Sequence, residues 1–197
     1  MNMRYGFERE YFVTKHGDFS LCPTNVPMDG CGFLAESRGE PHNNPMSAAF
    51  LMLSEESRIK KLAKGCQLLP LAFADVPKTI LREAIRLYGK ASLSHEQGNI
   101  YGLDYEADDE LVRAGLHVHF SNLLKVPTKD GQFVEVPQMI DFVKIIQRLD
   151  AAFEDEIKAA KRIPGLYELK GHGFEYRSLP ASMEPRKVAT VIQSFNL

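Results

Sequence analysis

The chain has 197 residues, with 24 Lys and Arg against 26 Asp and Glu, a formal net charge of −2, and six His. A domain takes about 100–200 residues, so the length suits one domain over residues 1–197 with a core that needs no staples. The near-neutral balance excludes a basic nucleic-acid clamp and an acidic tail, and no apolar run reaches the ~18 residues of a membrane span. Residues 1–10 carry two carboxylates and no apolar h-region, which is unlike a signal peptide. Three cysteines (Cys22, Cys31 and Cys66), an odd number without metal-type spacing, predict reduced thiols in a cytoplasm.

Residues 5–13, rich in aromatic and β-branched side chains, read as a strand that runs into a turn at Lys15-His16-Gly17-Asp18, with residues 19–22 as the returning partner. Asp29-Gly30 marks another turn, and residues 32–38 a short strand with an apolar start and a charged end. Asn44 and Pro45 open a helix as N-cap and first residue. Its apolar residues recur at Ile59 and Leu62, and Gly65 stops it. Residues 66–73 read as a buried strand, and Asp75 caps a helix over 77–88 that ends at Gly89. The stretch 91–109 is polar and patternless. Residues 111–121 read as a strand and Lys129-Asp130-Gly131 as a hairpin-like turn. Residues 137–161 form the longest predicted helix, because Ile140, Val143, Ile146, Leu149, Phe153 and Ile157 keep helical spacing. Pro164-Gly165 breaks it. A last strand over 173–179 and a last helix over 184–195, capped by Ser182, follow. Hairpin signals without regular βαβ alternation predict an α+β fold on a largely antiparallel sheet.

The informative residues are polar ones inside these apolar strands. In Gly6-Phe7-Glu8-Arg9-Glu10, strand alternation points Glu8 and Glu10 to one face, about 6–7 Å apart. Carboxylates that close raise each other's pKa unless a cation sits between them. In Gly115-Leu116-His117-Val118-His119-Phe120-Ser121 the two imidazoles share a face opposite Leu116, Val118 and Phe120, a pattern suited to a metal or a phosphate. Gly173-Phe174-Glu175-Tyr176-Arg177 pairs a carboxylate with a guanidinium, which can hold a cation and a phosphate oxygen, and Glu36-Ser37-Arg38 repeats the spacing. Taken singly, these are equally a solvent-facing strand edge, a pair of surface histidines and surface ion pairs worth under ~1 kcal/mol. Together, Glu8, Glu10, Glu36, His117, His119, Glu175 and Arg177 make one polar sheet face, a composition suited to phosphoryl transfer from a metal–nucleotide complex.

Competing motifs fail. No G-x-x-x-x-G-K-[ST] loop occurs, and Gly30-x-Gly32-x-x-Ala35 leads into a strand rather than a helix. The charges of 150–158 mix their signs along a helix, and Arg58, Lys60, Lys61 and Lys64 complement a helix end. His16, His42 and His95 receive no role.

Residues 114–121 resemble the histidine-bearing strand of glutamine synthetases. Lys161-Arg162-Ile163-Pro164, followed by Gly173-Phe174-Glu175-Tyr176-Arg177, resembles their arginine loop and Glu-x-Arg strand, and Glu8-x-Glu10 their first metal strand. These patches run in order from residue 6 to residue 180. With the short length, Glu36-Ser37-Arg38 and Arg177-Ser178-Leu179-Pro180, the whole is most similar to the small carboxylate-amine (COOH-NH2) ligases, or amidoligases, of the phage type.

The resemblance implies a glutamine synthetase-like curved, mainly antiparallel sheet with helices on its convex face, and ATP with Mg2+ or Mn2+ on the concave one. It implies ATP-dependent amide formation between a small-molecule or peptide carboxylate and an amine through an acyl phosphate, in a cytoplasm, that of a host if phage-encoded. Matching positions imply Glu8, Glu10, Glu36, His117 and Glu175 as metal ligands, and His119, Ser121 and Arg177 as nucleotide contacts. They imply Arg162, Arg177 and Glu175 as catalytic residues, where one preorganised charge supplies a few kcal/mol. Glu40 stays open as a substitute for Glu36, and His172 and Glu168 as substrate contacts. Relatives assemble, but no patch of the sequence decides an oligomeric state. Glutamine synthetases are far longer, and no counterpart of their ammonium-site loops is found, so glutamine synthesis itself is not expected. Two other readings stay open: a metal-dependent hydrolase or oxygenase using the His-x-His strand, and a non-catalytic nucleotide-binding relative. The segments 91–109 and 41–44 are candidate specificity loops by elimination.

Overall fold

A computed structural model describes residues 3–29, 32–88, 97–103, 111–195 and 197. In chain order its elements are β1 (Met3–Lys15), β2 (Asp18–Phe19), β3 (Ala35–Arg38), α1 (Pro45–Leu62), β4 (Gln67–Leu69), β5 (Phe73–Asp75), α2 (Lys78–Tyr88), β6 (Gln97–Asn99), β7 (Leu111–Arg113), β8 (Gly115–Pro127), β9 (Phe133–Pro137), α3 (Phe142–Ala152), α4 (Glu154–Ala159), β10 (Leu166–Lys170), β11 (Gly173–Pro180) and α5 (Pro185–Gln193). Among the described residues, nine strands join one sheet in the order β2-β1-β8-β11-β10-β6, with β3 and β4 also on β1 and β9 on β8. β5 and β7 pair separately. All these pairings are antiparallel, so the fold is α+β with a mostly antiparallel open sheet.

Alternation along the two 13-residue strands, β1 and β8, gives the sheet two unlike faces. Tyr5, Phe7, Leu116, Val118, Phe120, Phe174 and Tyr176 lie on one face and pack against α1, α3, α4 and α5 through residues such as Met52, Ile146, Ile157 and Val188. Each such buried side chain contributes about 1.5–3 kcal/mol. Phe120 and Phe174 stack at the centre, ring centroids 4.8 Å apart. Arg9 also points to this face, where its Nη1 meets Glu56 Oε2 of α1 at 3.0 Å, and the Tyr11 hydroxyl donates to the same carboxylate at 2.8 Å. These bonds offset most of the cost of burying the pair, although Arg9 Nε has no hydrogen-bond partner among the described residues. Phe12, two residues beyond Glu10 and so on its face, clusters with Phe33, Leu34 and the α2 residues Ile80, Leu81 and Ala84. Helix α2 therefore closes one end of the polar face.

Several local signals are realised as written. The β1–β2 loop takes positive φ at both His16 (55°) and Gly17 (93°), the twist that a tight hairpin requires. Asn44 caps α1 by accepting from the Ser47 N–H at 3.0 Å, with Pro45 as first residue. Other boundaries differ. The helix expected over 137–161 is two helices, α3 and α4, broken at Phe153, while Pro137 closes β9. Its helical spacing persists because both pieces bury residues in the same core, Phe153 included. Asp141 sets the later start by accepting from the Lys144 N–H. The 18-residue α1 exceeds both pieces. The strand expected over 111–121 divides at Ala114 into β7 and β8, and that over 66–73 into β4 and β5 around Pro70. Only Asp18–Phe19 pairs in the region expected over 19–22. Glu184, not Ser182, stands at the N-cap position of α5. Gly30, Cys31, His95 and most of 91–109 lie outside the described residues, whereas Cys22 and Cys66 are free thiols. Among the described residues, no helix is long and apolar enough to cross a membrane.

Candidate active site

Register sets the polar residues in rows across β3, β1, β8 and β11. Glu8 lies between Arg38 and His117, Glu10 opposite Glu36, and His119 between Gly6 and Glu175. Directly opposed residues of antiparallel strands leave the sheet on one face. Glu8, Glu10, Glu36, Arg38, His117, His119, Ser121 and Glu175 thus share the face away from α1, α3, α4 and α5. A register shift between Tyr176 and Leu179 falls at Arg177, whose Nη1 reaches Glu175 Oε1 at 2.7 Å and Glu168 Oε2 at 3.1 Å.

At the centre stand Glu8, His119 and Glu175, one ligand atom of each within 4.8 Å of the others. His119 Nε2 lies 2.9 Å from Glu8 Oε1 and 4.0 Å from Glu175 Oε2. It is buried, yet it makes no well-aligned hydrogen bond among the described residues. A buried imidazole nitrogen aimed between two carboxylates is a donor set that could hold a divalent cation, without selecting which.

The other expected site residues surround this triad. His117 is buried, and its Nδ1 lies 3.0 Å from Glu175 Oε1, so it holds the carboxylate from behind. Gly115 makes room for it: a Cβ there would come within 2.4 Å of His117 Nε2. Glu10 Oε2 accepts the Gly115 N–H at 2.6 Å. Glu36 is buried beside Glu10, while Glu40 is exposed, so of the two Glu36 is the one on this face. Ser121 is buried opposite Gly173, where a Cβ would meet the Phe120 carbonyl oxygen at 1.9 Å. Arg162 donates to three backbone carbonyls: Nε to Ser178 at 3.0 Å, Nη1 to Ala114 at 3.2 Å and Nη2 to Arg177 at 2.5 Å. It thereby ties the segment after α4 to the irregular stretch of β11 that carries Arg177. His172 is exposed in the β10–β11 turn.

Electrostatics follow the packing. Burial works to raise the Glu8 carboxyl, but the His119 imidazole and the Arg38 guanidinium outweigh it and hold it at about 2. The same contest at Glu175 is won by His117, Arg177 and His119, which keep it well below the ordinary carboxylate range. Glu36 goes the other way: burial, then the charges of Glu8 and Glu10, push it up to about 8 despite Arg38.

Arg38, Glu168 and Lys170 complete the cluster. Arg38 bridges Glu8 at 3.2 Å and Glu36 at 2.9 Å, and Lys170 Nζ lies 2.5 Å from Glu168 Oε1 and 3.1 Å from Glu175 Oε2. Sequence reasoning leaves Arg38 and Lys170 unassigned. The alternation Tyr167-Glu168-Leu169-Lys170 would have marked β10 as a strand with both charges on one face.

Comparison of the chain with protein-family models, with curated proteins and with solved structures gives no match.

Proposed function

We propose that the protein is an ATP- and Mg2+- or Mn2+-dependent carboxylate-amine ligase, with a sheet of the glutamine synthetase-like kind. The observation that carries this reading is the convergence of four Glu, two His and Arg177 on one face of four adjacent strands. In the reaction a substrate carboxylate oxygen attacks the γ-phosphorus of ATP, and ADP leaves. The resulting acyl phosphate is attacked by an amine, phosphate departs with the C–O electron pair, and the amine loses a proton. Glu8, His119 and Glu175 would hold the metal, which supplies positive charge against the transferring phosphoryl group. His117 orients Glu175, and Arg177 offers a preorganised guanidinium to the phosphoryl oxygens. Arg162 acts through the backbone it pins. The substrates are proposed to be a small-molecule or peptide carboxylate and an amine, met in a cytoplasm.

The test is incubation with ATP, Mg2+ and a pool of amino acids, polyamines and peptides. ADP and phosphate are the expected products, and AMP with pyrophosphate would sink the acyl-phosphate route. Glu10→Ala, His117→Ala and Arg177→Ala should stay folded by circular dichroism and lose ADP release. Full activity in any of them removes that residue's role. Turnover without ATP would instead favour a metal-dependent hydrolase, and nucleotide binding without turnover a non-catalytic relative.

A further inference from the structure

Glu175 has two chemically distinct oxygens. Oε1 is held by the buried His117 through Nδ1 at 3.0 Å and by the half-buried Arg177 through Nη1 at 2.7 Å. Oε2 faces the triad, 4.0 Å from His119 Nε2, and its ion-pair partner there is Lys170 Nζ at 3.1 Å. The lysine reaches it from the end of β10, where Glu168 provides a second anchor at 2.5 Å. Its side chain is 28% exposed against 2% for Glu175, so it borders solvent and can leave on its flexible stem. A divalent cation bound to this oxygen stands about 2.0–2.6 Å from it. An ammonium on the same oxygen would then face a double positive charge at close range, in surroundings where charges are poorly screened.

We propose that Lys170 is a displaceable counter-ion of Glu175, an ammonium that pairs with the triad-facing oxygen and must swing away when a divalent cation binds. The inference rests on reading Glu8, His119 and Glu175 as a metal site. It assigns Lys170 a positioning role: it keeps the Glu175 carboxylate compensated and aimed until a metal binds, and it sets how tightly the metal is held. A lysine that merely braced the Glu175 rotamer would have the opposite signature, because its removal would loosen the metal.

Mn2+ titration of the metal-free protein, followed by electron paramagnetic resonance and needing neither ATP nor turnover, separates these signs. Lys170→Ala and Lys170→Gln should bind Mn2+ more tightly than wild type, on the order of three- to tenfold in Kd. Lys170→Arg, which keeps the charge, should stay near wild type. Circular dichroism checks that each variant is folded, and the Gln variant keeps a polar group if Ala perturbs the hairpin. If wild type binds Mn2+ and neither neutral variant binds it more tightly, the counter-ion role is overturned while the metal site stands. If neither wild type nor the neutral variants bind Mn2+ at millimolar concentration, the metal-site reading falls and takes the inference with it.

Discussion

At the residue scale, Glu175 shows how a carboxylate is kept charged inside a protein. Its side chain is 2% exposed, and four basic groups approach it within 4.0 Å. Burial alone would neutralise it, and the partners reverse that outcome. The same crowding favours glycine at 115. Gly115→Ala would drive a methyl group to 2.4 Å from His117 Nε2 and 3.1 Å from Arg162 Nη2. The expected cost is about 1–3 kcal/mol, the range for overpacking. Combining it with His117→Ala should recover part of that loss, so the double variant is less destabilised than the sum of the two singles. Urea denaturation of the four proteins measures the coupling, and strict additivity would mean that the methyl group does not meet the imidazole.

At the element scale, the helices depend on different start signals. α1 has a full N-cap, with the Asn44 side chain bonded to the Ser47 N–H. α5 has Glu184 at that position without a side-chain cap bond, and relies on Pro185 and on burial of Val188, Ala189 and Ile192. Asn44→Ala should therefore cost about 1 kcal/mol, and Ser182→Ala, outside the cap of α5, less than about 0.5 kcal/mol. Equal losses in chemical denaturation would contradict this assignment of the caps. The split of 142–159 into α3 and α4 is also an element-scale matter. Hydrophobic period alone cannot reveal a one-residue interruption when Phe153, at the break, is as buried as Leu149 and Ile157, four residues to either side.

At the scale of the whole molecule, the polar face gives stability two opposing pH dependences in the metal-free protein. Glu8 has a folded pKa of about 2, below its ordinary 4.5. Its contribution is present above 4.5 and is lost as pH falls through about 2. Glu36 has a folded pKa of about 8, above the same reference of 4.5. Its contribution is full below 4.5 and drains away as pH rises towards about 8. Glu36→Gln, measured in the presence of a chelator, should thus gain on wild type in unfolding free energy as pH climbs through that window, then run parallel to it. A difference between the two proteins that does not change with pH would show that Glu36 ionises normally.

By itself the sequence determined the two-sidedness of β1, β8 and β11, the caps and turns around α1 and the β1–β2 hairpin, and the class of fold. These follow from backbone periodicity and near-neighbour chemistry, which are local. Alternation puts His117 and His119 on the same face and cannot say which of them stands between the carboxylates. Only the pairing of β8 with β1 and β11 decided that, setting His119 opposite Glu175 and His117 behind it. Pairing likewise chose Glu36 over Glu40 and brought Lys170 to Glu175. Strand register is fixed by contacts between segments far apart in the chain, and a one-residue slip exchanges the faces. Tertiary structure therefore decided which of the charged residues meet, and how closely.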